Sequence, residues 1–246
     1  MRVHKLTTAV AMMALTLGLP LSGSSAEVQQ KKADQGGEAS KKITATSSVP
    51  VYKPPVRGAP GGRVGGGTRG SDQTFVLSVV APNHTGLTTL EQPELFWYLS
   101  KAISTPMEFT LMDDQGIKPL IETSLGIPTQ AGIQRVRLAD YGVRLEPGKH
   151  YEWFVALVVD PDRRSKDVLA GGAIERMEEA EAQPPMSDTE LASFYATHGI
   201  WYDAIAAVSN LIDAAPQDQT LRKQRAALLE QAGLLEIAEA ELRPVN

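Results

Sequence analysis

The chain has 246 residues, 42% apolar and 22% charged, with a formal charge of −5 and no cysteine. The missing thiol excludes a disulfide framework, a thiolate zinc site, a cysteine nucleophile and a cysteine-anchored lipid. The mild acidity speaks against a nucleic-acid binder, whose footprint is basic.

Residues 1–26 have the form of a secretory signal. Arg2 and Lys5 open it, the apolar run Leu6–Leu19 is too short to span a bilayer, and Ser24 and Ala26 are the small residues before a cut after Ala26. The expectation is a periplasmic or secreted protein with no membrane span after signal cleavage. Residues 27–72 are poor in bulky apolar side chains and rich in Lys, Ser, Gly and Pro, with eight basic against four acidic residues. They read as a disordered basic arm ahead of an acidic body, a solvated linker or an arm laid on the body or a partner.

Residues 73–176 read as a β-sandwich domain. Seven β-rich segments, at 74–80, 94–99, 107–112, 118–123, 133–138, 151–159 and 168–174, are separated by turn signals such as Asp113-Asp114-Gln115-Gly116 and Pro147-Gly148. Leu145, Pro147 and Tyr151 resemble the tyrosine corner of immunoglobulin-like and fibronectin type III domains, in which the tyrosine hydroxyl ties back to the corner backbone. In that register Trp153, Val155 and Leu157 point inward.

Residues 187–243 change to helical periodicity. Ser187-Asp-Thr-Glu190 is a capping-box sequence that predicts a helix start. Ala192, Tyr195, Gly199, Ala204 and Val208 recur 34 residues later as Ala226, Leu229, Gly233, Ala238 and Leu242. The period and residue types resemble tetratricopeptide (TPR) repeats. Gly199 should end the first helix and Pro216 the second. Arg225 departs from the pattern, because Leu191 holds the matching place in the first copy. Two repeats are too few to bury their own apolar faces, so the sandwich is the expected cover and a second chain the alternative. The fold class is thus α+β, an immunoglobulin/fibronectin-like sandwich followed by a short TPR-like helical unit.

Arg57-Gly-Ala-Pro-Gly-Gly-Arg-Val-Gly-Gly-Gly-Thr-Arg-Gly70 is the most distinctive run. Gly65, Gly67 and Gly70 fit a dinucleotide fingerprint, but no strand precedes them and no helix follows. Such a run more often lays backbone against a sheet edge. With Phe96-Trp97-Tyr98, Glu108-Phe109, Leu145-Glu-Pro-Gly-Lys149, Tyr151-Glu-Trp153 and the Tyr195–Ala204 segment, it resembles the bacterial family catalogued as domain of unknown function 928. The resemblance covers roughly residues 50–243. It implies export and an envelope role, and it implies no chemistry. Members often carry a cysteine just after the glycine block; Ser71 stands there, so no disulfide role carries over.

Chemistry-bearing constellations are scarce. His84, His150 and His198 are isolated, with no second ligand at helical or hairpin spacing. Asp160-Pro-Asp162 with Asp167 fails the calcium-loop pattern at Arg164 and reads as a charged hairpin tip. Glu175, Glu178, Glu179 and Glu181 lead to Pro184-Pro185 as a solvated link. No nucleophile elbow or zinc-protease motif occurs, so neither enzymatic activity nor a cofactor is expected. The expected function is a non-catalytic protein-interaction or accessory module of the cell envelope. The alternative is a periplasmic carrier or sensor for a small ligand or glycan, bound between sandwich and helices. The candidate interaction residues are Arg57, Arg63, Arg69, Trp201, Tyr202 and Asp203, facing an envelope or secreted protein.

Overall fold

Each of the seven predicted β segments forms a strand, and the boundaries move by a few residues at most. The computed structural model describes residues 49–55, 63–67, 75–113, 116–178 and 187–243. The predicted signal, most of the basic arm with Arg57 and Arg69, and the link at 179–186 lie outside the described residues. The described strands are β1 (Gly66–Gly67), β2 (Val76–Val79), β3 (Gly86–Thr88), β4 (Glu94–Leu99), β5 (Met107–Asp113), β6 (Pro119–Gly126), β7 (Gly132–Arg137), β8 (His150–Leu157) and β9 (Val168–Arg176). Two were not predicted. β1 has two residues and β3 three, too short to show alternation, and β3 runs parallel to β9.

The strands form two sheets, ordered β1-β2-β4-β7 and β3-β9-β8-β5-β6. Alternation explains the core between them. Leu77, Val79, Leu95, Trp97 and Leu99 share one face through the β2–β4 register and are all buried. Trp153 and Val155 of β8 and Phe109 and Leu111 of β5 are buried with them in one apolar cluster. Gly172 of β9 marks how closely the layers meet, since a Cβ there would lie 2.8 Å from the Ala81 methyl. At the predicted corner, the Glu146 N–H donates to the Tyr151 hydroxyl at 2.9 Å.

The described part of the glycine run does run along strand edges. Val64 exchanges both backbone hydrogen bonds with Gly171 of β9, each 2.9 Å, and Gly66–Gly67 pair with β2. Residues 63–67 therefore stitch one sheet to the other.

Four helices follow: α1 (Asp188–Thr197), α2 (Trp201–Ala214), α3 (Gln219–Gln231) and α4 (Leu235–Glu241). They make two hairpins, turned at Gly199 (φ 74°) and Gly233 (φ 72°), left-handed conformations in which glycine meets no Cβ penalty. Ala192, Ala204, Ala226 and Ala238, the small residues of the 34-residue period, are all buried where paired helices approach. Val208 is buried as well, whereas its counterpart Leu242 is 45% exposed, because α4 stops at Glu241. The capping box does not close. α1 begins at Asp188 as expected, but the Ser187 hydroxyl pairs with the Thr189 hydroxyl at 2.7 Å and makes no bond to the helix backbone. Among the described residues no helix is long and apolar enough to cross a membrane.

Sheets and helices belong to one unit, residues 45–246. Removing the corner hydroxyl with Tyr151→Phe leaves a part-buried N–H unpaired and is expected to cost about 1–2 kcal/mol. Urea unfolding would measure this; an unchanged midpoint would show that the corner bond contributes nothing.

Candidate functional site

Three of the predicted interaction residues sit where the helices enter the double sheet. Trp201, Tyr202 and Asp203 open α2 and are 0%, 1% and 3% exposed. The Trp201 indole N–H donates to the Val80 carbonyl at 3.0 Å. The Tyr202 hydroxyl accepts from the Trp153 indole at 2.8 Å and donates to the Ala173 carbonyl at 2.9 Å. The Asp203 carboxylate accepts from the Thr88 and Thr89 hydroxyls and from the Thr89 N–H at the end of β3. The tyrosine also dictates Gly86 on β3, since a Cβ there would lie 2.6 Å from its ring. These side chains present no surface to a partner. The physical reason is the shortage of repeats: two hairpins cover their apolar faces by inserting aromatics into the sheets.

Arg63 is half-buried and engaged by backbone carbonyls. Its guanidinium donates to the Ala81 carbonyl (3.0 Å) and to the Ala232 and Gly233 carbonyls (both 3.3 Å) at the end of α3. A cation there meets the negative end of the helix and its free carbonyls. Desolvation lowers its pKa from the ordinary arginine value. The upstream segment adds a second tie. Tyr52 N–H donates to Gln231 Oε1 (2.7 Å), and Gln231 Nε2 donates to the Pro50 carbonyl (3.0 Å). The Tyr52 ring packs edge-on to Trp201, and its hydroxyl pairs with His84 Nε2 at 2.9 Å.

The concave site lies further along the same interface. A cleft of about 820 Å³ opens between the outer face of β4 and β7 and the far ends of α2, α3 and α4. Four arginines line it, Arg135, Arg222, Arg225 and Arg243, against two carboxylates, Asp213 and Glu241. Arg135 lies 5.2 Å above the Phe96 ring and pairs with Glu94 of β4 and Asp213 of α2. Arg225 clasps Glu241 through two 2.8 Å bonds and donates to Ser209 at 3.1 Å, while Arg222 reaches the same carboxylate at 3.2 Å. Two guanidiniums thus share one acid. Arg243 makes no ion pair among the described residues and is exposed at the rim. Tyr98 forms part of the floor, and burial, aided by Glu236, holds its phenol above the ordinary value. The cleft thus holds three guanidiniums engaged by carboxylates and, among the described residues, one free cation, Arg243, at its rim. Among the described residues no metal-ligating cluster converges there.

The remaining candidates are structural. His150 pairs with Glu175 at 3.3 Å, and His198 packs on Phe194 at the end of α1. Asp160 and Asp167 hold Arg163 and Arg164 in the predicted charged tip. Among the described residues no group of three metal-ligating side chains converges.

The cleft arginines were not selected from the sequence. One signal pointed to them: Arg225 breaks the repeat at a position where its counterpart is leucine. A charge at a seam position must find a buried partner, and Glu241, one helix later, is that partner.

Residues 64–242 match the family described as Domain of Unknown Function (DUF928), nearly three quarters of the chain. No curated protein matches it. Among solved structures, a multi-domain immunophilin from Arabidopsis thaliana is 7% identical over 69% of this chain and 93% of that one, with a TM-score of 0.15. A likeness at that level carries no argument about fold or function.

Burial pushes the Asp203 carboxyl above its ordinary value, opposed by the hydrogen bonds from Thr88 and Thr89. A carboxyl with a raised folded pKa contributes stability below its unfolded value and loses it as pH rises through the folded value. Asp203→Asn removes that titration. In urea unfolding at several pH values, the stability of the wild type relative to the variant is expected to decline from about pH 4 upward. A pH-independent difference would contradict the raised value.

Proposed function

We propose that this chain, which belongs to the DUF928 family, is a non-catalytic interaction module of the bacterial cell envelope, acting after export. Its site is the arginine-lined cleft between β4–β7 and the helical hairpins, and its partner is an anionic segment of an envelope or secreted protein. One observation carries the reading: arginines gather in a concave site on an otherwise acidic protein, with Arg243 free of any ion pair among the described residues and Glu241 shared by two guanidiniums. Charges arranged this way speed encounter with an acidic partner and reject a basic one.

The finer reading of the architecture belongs here too. The corner bond of Tyr151 and the two facing sheets support an immunoglobulin-like sandwich. The two hairpins, turned at glycines 34 positions apart, support a TPR-like pair. The sandwich covers the pair on one side, and the cleft is the part of their junction left open.

A second reading draws support from size. About 820 Å³ lies within the range of small-ligand sites, which fits a carrier for a small anion or glycan.

Fluorescence anisotropy with labelled poly-glutamate discriminates the two. The interaction module is expected to bind it with an affinity that falls as salt rises, and Arg243→Glu to weaken binding about tenfold. Salt-insensitive binding of a neutral oligosaccharide, with no response to poly-glutamate, would replace the module with the carrier.

A further inference from the structure

β7 is the last strand of its sheet. Its hydrogen bonds to β4 run through Gly132, Gln134 and Val136, because the Leu138 N–H donates to the Pro93 carbonyl and the antiparallel register alternates from that pair. The far side of β4 shows the same phase, with the Phe96 carbonyl receiving the Val80 N–H from β2. The backbone groups of Ile133, Arg135 and Arg137 therefore face outward, with no partner among the described residues. An open edge of this kind is a template for another strand.

Both faces beside this edge are hollow. The outer face holds the arginine cleft, with Ile133 and Arg135 in its wall. The inner face holds a second hollow of about 430 Å³, walled on one side by Trp97, Leu125, Ile127 and Pro128 and on the other by polar side chains such as Thr129, Gln130 and Gln134. Each hollow also contains a buried donor with no acceptor: Arg225 Nε in the outer one and Trp97 Nε1 in the inner one. Buried donors without partners are rare in folded proteins and call for an explanation.

Side chains of a strand alternate between its two faces. A guest strand on β7 sets every second side chain over the arginines and the others beside Trp97. Charge selects acids for the first set, and the apolar side of the inner hollow, at Trp97, Leu125, Ile127 and Pro128, receives apolar residues of the second.

We propose that β7 takes up an extended acidic peptide as a fifth strand of its sheet, with carboxylates in the outer cleft and apolar side chains in the inner hollow. This rests on the cleft being the partner site and adds how the partner is held. Backbone pairing gives affinity, and the two hollows read an alternating acid–apolar sequence.

The test uses the full mature chain and two octapeptides of equal charge, one alternating Glu-Val and one of the same sequence methylated on every backbone nitrogen. A methylated amide cannot donate to the strand edge, whichever residues face it. The unmethylated peptide is expected to bind about tenfold more tightly, as two or three extra hydrogen bonds imply. Amide exchange at Ile133, Arg135 and Arg137 should slow on binding, while Gln134, already bonded to β4, should not change. Ile133→Pro, tolerated at an edge whose N–H faces solvent, should shrink the advantage of the unmethylated peptide over the methylated one. Equal binding of both peptides with no amide protection would overturn strand addition and leave an electrostatic partner site standing. Failure of both peptides together with poly-glutamate would remove the site itself.

Discussion

The architecture depends on one phenol. The Tyr202 hydroxyl accepts from the Trp153 indole N–H and donates to the Ala173 carbonyl, so a residue of α2 satisfies a buried donor of the double-sheet core. A buried hydroxyl with both roles satisfied is stable in an apolar interior, whereas the same group unpaired would cost several kcal/mol. This bond, with Trp201 on Val80 and Asp203 on the β3 threonines, turns the first turn of α2 into part of the sheet structure. The burial that blocks these residues from any partner is what allows two helical hairpins to exist without a longer array.

The cleft follows from the same anchoring. α2 is pinned at its N-terminus and crosses the outer face of β4, where Arg135 ties Asn210 and Asp213 to Glu94. Beyond that point lies the cleft, walled by charged groups together with apolar side chains such as Phe96, Ile212 and Ile237. Arg225 with Glu241 is a buried pair, and such pairs seldom add net stability over well-packed apolar residues. The first hairpin carries leucine at the equivalent place, Leu191, so the charged pair belongs to the second hairpin alone.

Much of the fold was legible because it rests on periodicity. Alternation over 94–99 and 151–157 marked core strands, and the 34-residue recurrence of glycine and small residues marked both hairpins. The tyrosine corner was readable because its spacing is local. β3 was not, since a three-residue parallel strand is defined by a β9 neighbour nearly ninety positions away. The site was read less well. Aromatics following a glycine turn look alike whether they plug an interior or face a partner, and only the tertiary position of Gly86 and Trp153 decides between them. Arg135 lies on β7, Arg222 on α3 and Arg243 just past the end of α4, and nothing local announces that they converge.

Residue 63 finds its acceptors at 232 and 233, and Pro50 finds its donor at Gln231. Val64 must also wait for Gly171. The contacts that lock the start of the described chain are thus closed by its last hairpin, a topology of large sequence separation that folds slowly. Residues 50–55 and 63–64 can therefore settle only once residues 231–233 are in place. Until then the stretch of β9 that Val64 covers at Gly171 stays bare, an unpaired strand edge in an otherwise assembled sheet.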